Sequence, residues 1–63
     1  MTRYIIQSKR TLLYVQGIDN GFLRMTSNQS EAFKYYYPEL AKLEMYNNEV
    51  YPEAYEVVPF KGV

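Results

Sequence analysis

The sequence predicts a small α+β domain: an antiparallel sheet with a β-meander, then one helix packed on one face, then a last strand. Three observations indicate this fold. Three short apolar runs occupy the first 26 residues, the best run of helix formers lies in the middle, and a valine-rich run follows it. A chain of 63 residues accommodates one domain, spanning residues 1–63, and strands segregated from a helix are typical of α+β folds.

Short apolar runs bounded by polar residues predict the first three strands. They are expected at Arg3–Gln7, Thr11–Gln16 and Phe22–Thr26, with Ser8–Arg10 as the first turn. Few polar residues interrupt the first two runs, which indicates strands covered on more than one side. Asp19-Asn20-Gly21 predicts a type I′ hairpin turn, because asparagine and glycine both tolerate positive φ. Together these elements predict the antiparallel meander.

The central stretch allows two interpretations. In the first, one helix runs from Gln29 to Tyr46 and begins with a capping box formed by Asn28 and Glu31. The residues that would share its apolar face are Phe33, Tyr36, Leu40 and Leu43. Pro38 opposes this interpretation, because a proline inside a helix removes a hydrogen-bond donor and clashes with the preceding turn, which costs about 3 kcal/mol or more.

In the second interpretation the helix begins at Pro38, and Asn47-Asn48 ends it. Proline at the first helical position loses nothing, since the amide there has no partner within the helix. Glu39 then lies in the first turn, where the helix dipole favours an anion. Residues Phe33–Tyr37 become an extended segment, which suits aromatic side chains. We prefer this second interpretation.

A last strand is expected at Ala54–Phe60, after a loop that contains Pro52. Proline cannot donate a hydrogen bond to a neighbouring strand, and it is therefore confined largely to edge strands. Pro59 thus predicts that the end of this strand lies at an edge of the sheet.

Composition narrows the classes of function. The chain contains no histidine and no cysteine, so the commonest general base and the thiolate nucleophile are missing. We expect no catalytic residue, no metal ligand and no cofactor, and therefore a protein that is not an enzyme. The formal net charge is zero, although residues 1–30 carry four basic and one acidic residue and residues 31–63 carry three basic and six acidic residues.

The same composition bears on location. A zero charge balance opposes non-specific binding to nucleic acid or to a membrane surface, since both need excess positive charge. No apolar run approaches the roughly 20 residues of a membrane span, and the N-terminus lacks the apolar region of a signal peptide. We therefore expect a cytoplasmic protein without a membrane partner.

Tyrosine is the outstanding compositional feature, with eight in 63 residues. For Tyr4, Tyr14 and Tyr55 we expect a structural role, in which the ring pads a thin core and the hydroxyl reaches water. Exposed tyrosine is enriched at protein–protein interfaces. The candidate interaction residues are Tyr35, Tyr36, Tyr37, Tyr46 and Tyr51. Side chains alternate along an extended chain, so either Tyr36 or both Tyr35 and Tyr37 must face away from one core.

Basic residues form a second candidate site, for single-stranded nucleic acid. Its members are Arg3, Lys9, Arg10 and Arg24. Interleaved with aromatic residues on the first three strands, they would hold phosphates while the rings stack on bases. We favour the simpler interpretation of solubility and edge protection, because a nucleic-acid footprint normally contains more positive charge.

The pattern as a whole resembles many small proteins of phages and prophages in Gram-positive bacteria. The resemblance lies in Tyr4-Ile5-Ile6, Leu13-Tyr14-Val15, Ala32 with Tyr35, Pro38-Glu39-Leu40-Ala41 and Tyr55-Glu56-Val57-Val58, and covers most of the chain. The sequence departs from that pattern where Tyr37-Pro38 stands in place of the usual Ser or Thr cap. The resemblance implies a setting inside an infected or lysogenic cell and assigns no functional residue.

The leading hypothesis from the sequence is a non-enzymatic protein-interaction module, a phage-type accessory protein that binds or modulates a host or phage protein. The alternative is a single-stranded nucleic-acid binder that uses the first three strands. A homodimer joined through the tyrosines is a third option. The sequence does not identify the partner protein.

Overall fold

The computed structural model describes residues 2–19 and 21–61. Its elements are β1 (Arg3–Ser8), β2 (Tyr14–Asp19), β3 (Phe22–Thr26), a 3-10 helix (Gln29–Glu31), α1 (Pro38–Asn47) and β4 (Tyr55–Phe60). The strands form one antiparallel sheet in the order β3-β2-β1-β4, and α1 packs against β1 and β4. The predicted α+β fold, with a meander, one helix and a last strand, is confirmed.

The second strand lies further along the chain than predicted. It was expected at Thr11–Gln16 but occupies Tyr14–Asp19, and the first turn is correspondingly longer than Ser8–Arg10. The cause is Leu12, whose φ of 65° is left-handed and incompatible with a strand. The turn around it is held by the Gln7 side-chain amide, which donates to the Leu12 carbonyl at 3.0 Å.

The hairpin between β2 and β3 is as short as the sequence predicts. Asp19 pairs directly with Phe22, which leaves two residues in the connection. Gly21 has a φ of 83°, the positive value that a type I′ turn needs. Asn20, the other residue on which the predicted turn type depends, lies outside the described residues.

The helix begins at Pro38, so the second interpretation is confirmed and a helix from Gln29 to Tyr46 is wrong. Tyr37 precedes it in an extended conformation, with φ −132° and ψ 145°. Asn28 instead caps the separate 3-10 helix, where its side chain accepts a hydrogen bond from the Ser30 amide at 3.0 Å. The apolar face expected of the longer helix, Phe33, Tyr36, Leu40 and Leu43, is exposed.

The segment between the 3-10 helix and α1, residues 32–37, is inserted into the sheet. β1 and β2 pair only at Gln7 and Tyr14. Elsewhere the segment lies between them: Tyr35 and Tyr4 exchange two main-chain hydrogen bonds of 2.7 and 2.8 Å, and the Phe33 amide donates to the Val15 carbonyl at 3.1 Å. The insertion directs the Tyr35 ring into the core.

The core lies between the sheet and α1. Its buried members are Ile6, Val15, Tyr35, Ala41, Met45 and Val50. Ile5 and Ile6 are both fully buried although they point to opposite faces of β1. The prediction that the first two strands are covered on more than one side is thus confirmed for β1, whereas in β2 only Val15 is buried.

The last strand forms an edge of the sheet. All six residues of β4 pair with β1, and β1 separates β4 from the rest of the sheet. Pro59 therefore lies in an edge strand, as predicted. The strand begins at Tyr55, one residue later than expected.

The two faces of α1 give a test of the fold. Met45→Ala removes a side chain that is 5 % exposed and should lower the free energy of unfolding by about 2–5 kcal/mol, because it leaves a cavity. Leu43→Ala, on the solvent face, should cost about 0.5 kcal/mol or less. Urea unfolding measures both. Equal losses for the two variants would contradict the placement of the helix.

Candidate functional site

The candidate interaction tyrosines separate into a buried residue and four exposed residues. Tyr35 is 9 % exposed. The exposed members are Tyr36, Tyr37, Tyr46 and Tyr51. The alternation of side chains along an extended chain allowed two arrangements, with either Tyr36 or both Tyr35 and Tyr37 facing away from the core. The structure has a third arrangement: Tyr35 faces the core while Tyr36 and Tyr37 both face solvent, because the chain bends before α1.

Tyr35 is a core residue, so its proposed place on the interaction surface is corrected. Its ring packs edge-on against Phe33 with the ring centroids 4.8 Å apart. Its neighbours around a shallow depression of about 230 Å³ include Glu44 and Arg24. Burial, and secondly the negative charge of Glu44, raise the pKa of Tyr35 from 10.0 to about 12.

Tyr36 and Tyr37 lie apart from the other exposed tyrosines. The Arg3 guanidinium stacks over the Tyr36 ring, 4.5 Å from its centroid, an arrangement that stabilises the cation over the aromatic face. Tyr37 is the residue that precedes α1. The helix has ten residues, so its two ends are separated by roughly 15 Å, and Tyr37 and Tyr46 lie near opposite ends.

Tyr46 and Tyr51 line one groove, which we call the C-terminal groove of α1. It has a volume of about 700 Å³, and its lining residues are Lys42, Met45, Tyr46, Asn47, Glu49, Val50, Tyr51 and Pro52. Tyr46 is 82 % exposed and Tyr51 60 % exposed, whereas Met45 and Val50 are buried. The groove thus combines a buried apolar part with two exposed aromatic rings.

The end of α1 explains how these side chains come together. Glu49 has a φ of 57°, and the chain there reverses direction. The Val50 amide donates to the Met45 carbonyl at 2.8 Å, and the Glu49 amide donates to the Tyr46 carbonyl at 3.3 Å. This is a Schellman motif, in which the side chains of Val50 and Met45 also make the usual hydrophobic contact within the core.

The apolar surface continues along the outer face of α1. At 100° per residue, Leu40, Leu43 and Tyr46 lie on the side of the helix opposite Ala41 and Met45. All three are exposed, and both residues of the opposite face are buried. The outer face therefore extends the apolar lining of the groove toward the start of the helix.

The basic candidate residues do not form one surface. Arg3 begins β1 and Lys9 follows its last residue, so the two are separated by roughly 20 Å along an extended strand, and Arg10 comes next in the turn. Arg24 pairs with Asp19, with Nε and Oδ2 2.5 Å apart. The structure therefore divides the predicted nucleic-acid site into separate positive charges, one of which is neutralised by a carboxylate.

Other classes of site find little support in residues 2–19 and 21–61. No group of three or more acidic side chains there is close enough to hold a metal ion. No helix in this part of the chain has the length and apolar character needed to cross a membrane. No family model, no curated protein and no solved structure matches the sequence.

Sequence reasoning found the two tyrosines of the groove but missed the residues that hold them. Met45 and Val50 are five residues apart on either side of the predicted helix stop. That spacing is the hydrophobic signature of a Schellman motif. Glycine normally marks the left-handed position of the motif, and Glu49 in its place concealed the signal.

Glu49 gives a test of this helix end. Glu49→Gly should raise the free energy of unfolding by about 1 kcal/mol, because glycine adopts positive φ without strain. It also removes an anion from the negative end of the helix dipole. Asn48→Gly is the control and should destabilise, since Asn48 has a φ of −112° and its amide donates to Glu44. Chemical denaturation compares both, and a loss of stability in Glu49→Gly would contradict the assignment.

Tyr35 gives a pH test. Its pKa is higher in the folded protein than the ordinary value of 10.0, so the folded state retains the phenol proton more tightly. This contribution is fully present below pH 10, and it is lost as the pH rises toward about 12. We expect a loss on the order of 2 kcal/mol. Unfolding at about pH 9 and about pH 11 should show a smaller decrease in Tyr35→Phe than in the wild type, with Tyr46→Phe as the exposed control. An equal decrease in all three would refute the assignment.

Proposed function

We propose that this protein is a non-enzymatic interaction module that binds a partner protein through the C-terminal groove of α1. The observation that carries the proposal is the convergence of Tyr46 and Tyr51, two exposed aromatic side chains, on one apolar groove. Tyrosine in a well-packed pocket is a frequent hot spot of protein–protein binding. The core does not account for these rings, since most of each is in contact with solvent.

The groove indicates what the partner presents. Its volume of about 700 Å³ is in the range of pockets that enclose a compact ligand, so it accommodates one or two anchoring side chains. Its apolar lining favours an aliphatic or aromatic anchor. Lys42 and Glu49 are the charged lining residues, and they would pair with polar groups around that anchor.

Three further observations support a binding role rather than catalysis. The chain has no histidine and no cysteine. Among the described residues, the one with a strongly raised pKa is Tyr35, which owes the shift chiefly to burial and lies in the core. The Glu44 carboxylate beside it accepts a hydrogen bond from the Asn48 side chain at 2.8 Å, which is a structural contact at the helix end. None of these groups is paired as an acid and a base at an open site.

The setting that we propose follows from the resemblance to small proteins of Gram-positive phages and prophages. It is that of an accessory protein in the host cytoplasm, which binds or modulates a host or phage protein. The apolar groove and outer helix face are compatible with this role, since they offer a compact surface that a larger partner would cover.

Alanine variants test the groove. Tyr46→Ala and Tyr51→Ala should each weaken partner binding by about thirtyfold, the effect of losing a hot-spot side chain. Tyr37→Ala is the matched control, because it removes an exposed tyrosine outside the groove and should leave affinity unchanged. The partner is first recovered from a Gram-positive lysate with tagged wild-type protein, and its affinity for each variant is then measured by calorimetry.

The same recovery separates the proposal from the nucleic-acid alternative. A stoichiometric protein that survives nuclease treatment and is lost with the groove variants supports the interaction module. Recovery that collapses on nuclease treatment, with salt-sensitive binding weakened by Arg10→Glu, would favour the nucleic-acid binder. Folded groove variants that keep full affinity for the partner would refute the groove.

A further inference from the structure

The two edges of the sheet differ in their protection. β4 forms one edge and contains Glu56 and Pro59, and proline has no amide to donate. β3 forms the other edge and contains no proline. Its single charged residue, Arg24, is drawn back across β2, because its guanidinium lies over Gly17 and pairs with Asp19. β3 therefore lacks the proline and the free charge by which proteins often block an edge strand.

The outer side of β3 has unused main-chain groups. In an antiparallel sheet, every second residue of an edge strand directs its amide and carbonyl away from the neighbouring strand. Among the described residues, the main-chain hydrogen bonds outside helices and strands involve none of residues 22–26. These free donors and acceptors form a template for one more extended strand.

We propose that this edge pairs with β3 of a second copy of the chain, so that two four-stranded sheets join across a two-fold axis. Antiparallel pairing centred on Arg24 keeps matching faces on the same side. It places Leu23 opposite Met25 of the second copy and Phe22 opposite Thr26 of the second copy. Leu23 and Met25 already pack against the core, so their pairing continues the apolar face of each sheet.

The absence of net charge allows a second copy to approach, and the small size of the interface limits its affinity. The formal net charge is zero, so two copies do not repel each other. Arg24 of each copy lies near the axis, but its side chain is directed back over β2 and is neutralised by Asp19 of its own chain. A pairing of five residues buries less than the roughly 800 Å² per partner of stable complexes. The dimer is therefore weak and depends on concentration, and it leaves the C-terminal groove of α1 free.

Glu31 makes the register testable. The Thr26 hydroxyl donates to the Glu31 carboxylate at 3.1 Å, so in this pairing residue 22 of one copy lies beside Glu31 of the other. Phe22 is 76 % exposed, and both Phe22→Glu and Phe22→Lys remove it without disturbing the core. Phe22→Glu places a negative charge beside Glu31 of the other copy at two symmetric contacts, whereas Phe22→Lys places a positive charge at the same two contacts. The dissociation constant of Phe22→Glu should be about tenfold higher than that of Phe22→Lys.

Sedimentation equilibrium of the full chain, from micromolar to millimolar concentration at low salt, measures the association. Leu43→Glu on the outer helix face is the control, and thermal unfolding checks that every variant is folded. The proposal is supported if the wild type shows a monomer–dimer equilibrium, if Phe22→Glu dissociates more readily than Phe22→Lys, and if Leu43→Glu leaves the dissociation constant unchanged. A monomer throughout, even one whose β3 amides respond to a foreign peptide, would overturn it. So would a dimer that both Phe22 variants affect equally or that Leu43→Glu dissociates.

Discussion

The main-chain pairing of Tyr4 with Tyr35 is the constraint on which the rest of the structure depends. β1 and β2 are neighbours in the sheet but pair at only one point. Beyond that point their facing amides and carbonyls would lack partners, which is costly for buried main-chain groups. The inserted segment supplies those partners to Tyr4 and Val15. The sheet is therefore complete only when a segment distant in sequence has joined it.

The insertion also determines where the helix lies and what it exposes. With Tyr35 fixed in the core, two residues remain before Pro38, and the rigid proline ring directs the chain into α1. Ten residues later the Schellman motif returns the chain toward the sheet and buries Val50 beside Met45. The groove lies at this return, so the same hydrogen bonds that end the helix also position Tyr46 and Tyr51.

The elements that the sequence predicted well are those marked by a residue with one dominant preference. Pro38 fixed the start of the helix, Pro59 identified an edge strand, and the glycine of the tight turn located the hairpin. The errors fall where a residue adopts a conformation against its preference. Leu12 is left-handed, which moved the start of β2, and a leucine gives no local sign of this.

At the candidate site, too, the local sequence does not show which residue is buried. Tyr46 and Tyr51 were singled out because tyrosine is abundant, and the structure brings them together. Tyr35 was placed with them, but alternation along the chain cannot decide which of three consecutive tyrosines is buried. That decision rests on the pairing with Tyr4, more than thirty residues earlier in the chain. Interactions of such long range have no signature in a single sequence.

The outer face of α1 is the part of the molecule that the fold does not explain. Ala41 is small and fully buried, which lets the helix approach the sheet closely. The core therefore needs few side chains from the helix. Leu40, Leu43 and Tyr46 contribute little to that packing, and polar residues in their place would keep the helix and improve solubility. Single exposed apolar residues are ordinary in proteins, but a row of them that continues into a groove is characteristic of a binding surface. The helix therefore has two apolar faces, of which one packs in the core and the other is exposed.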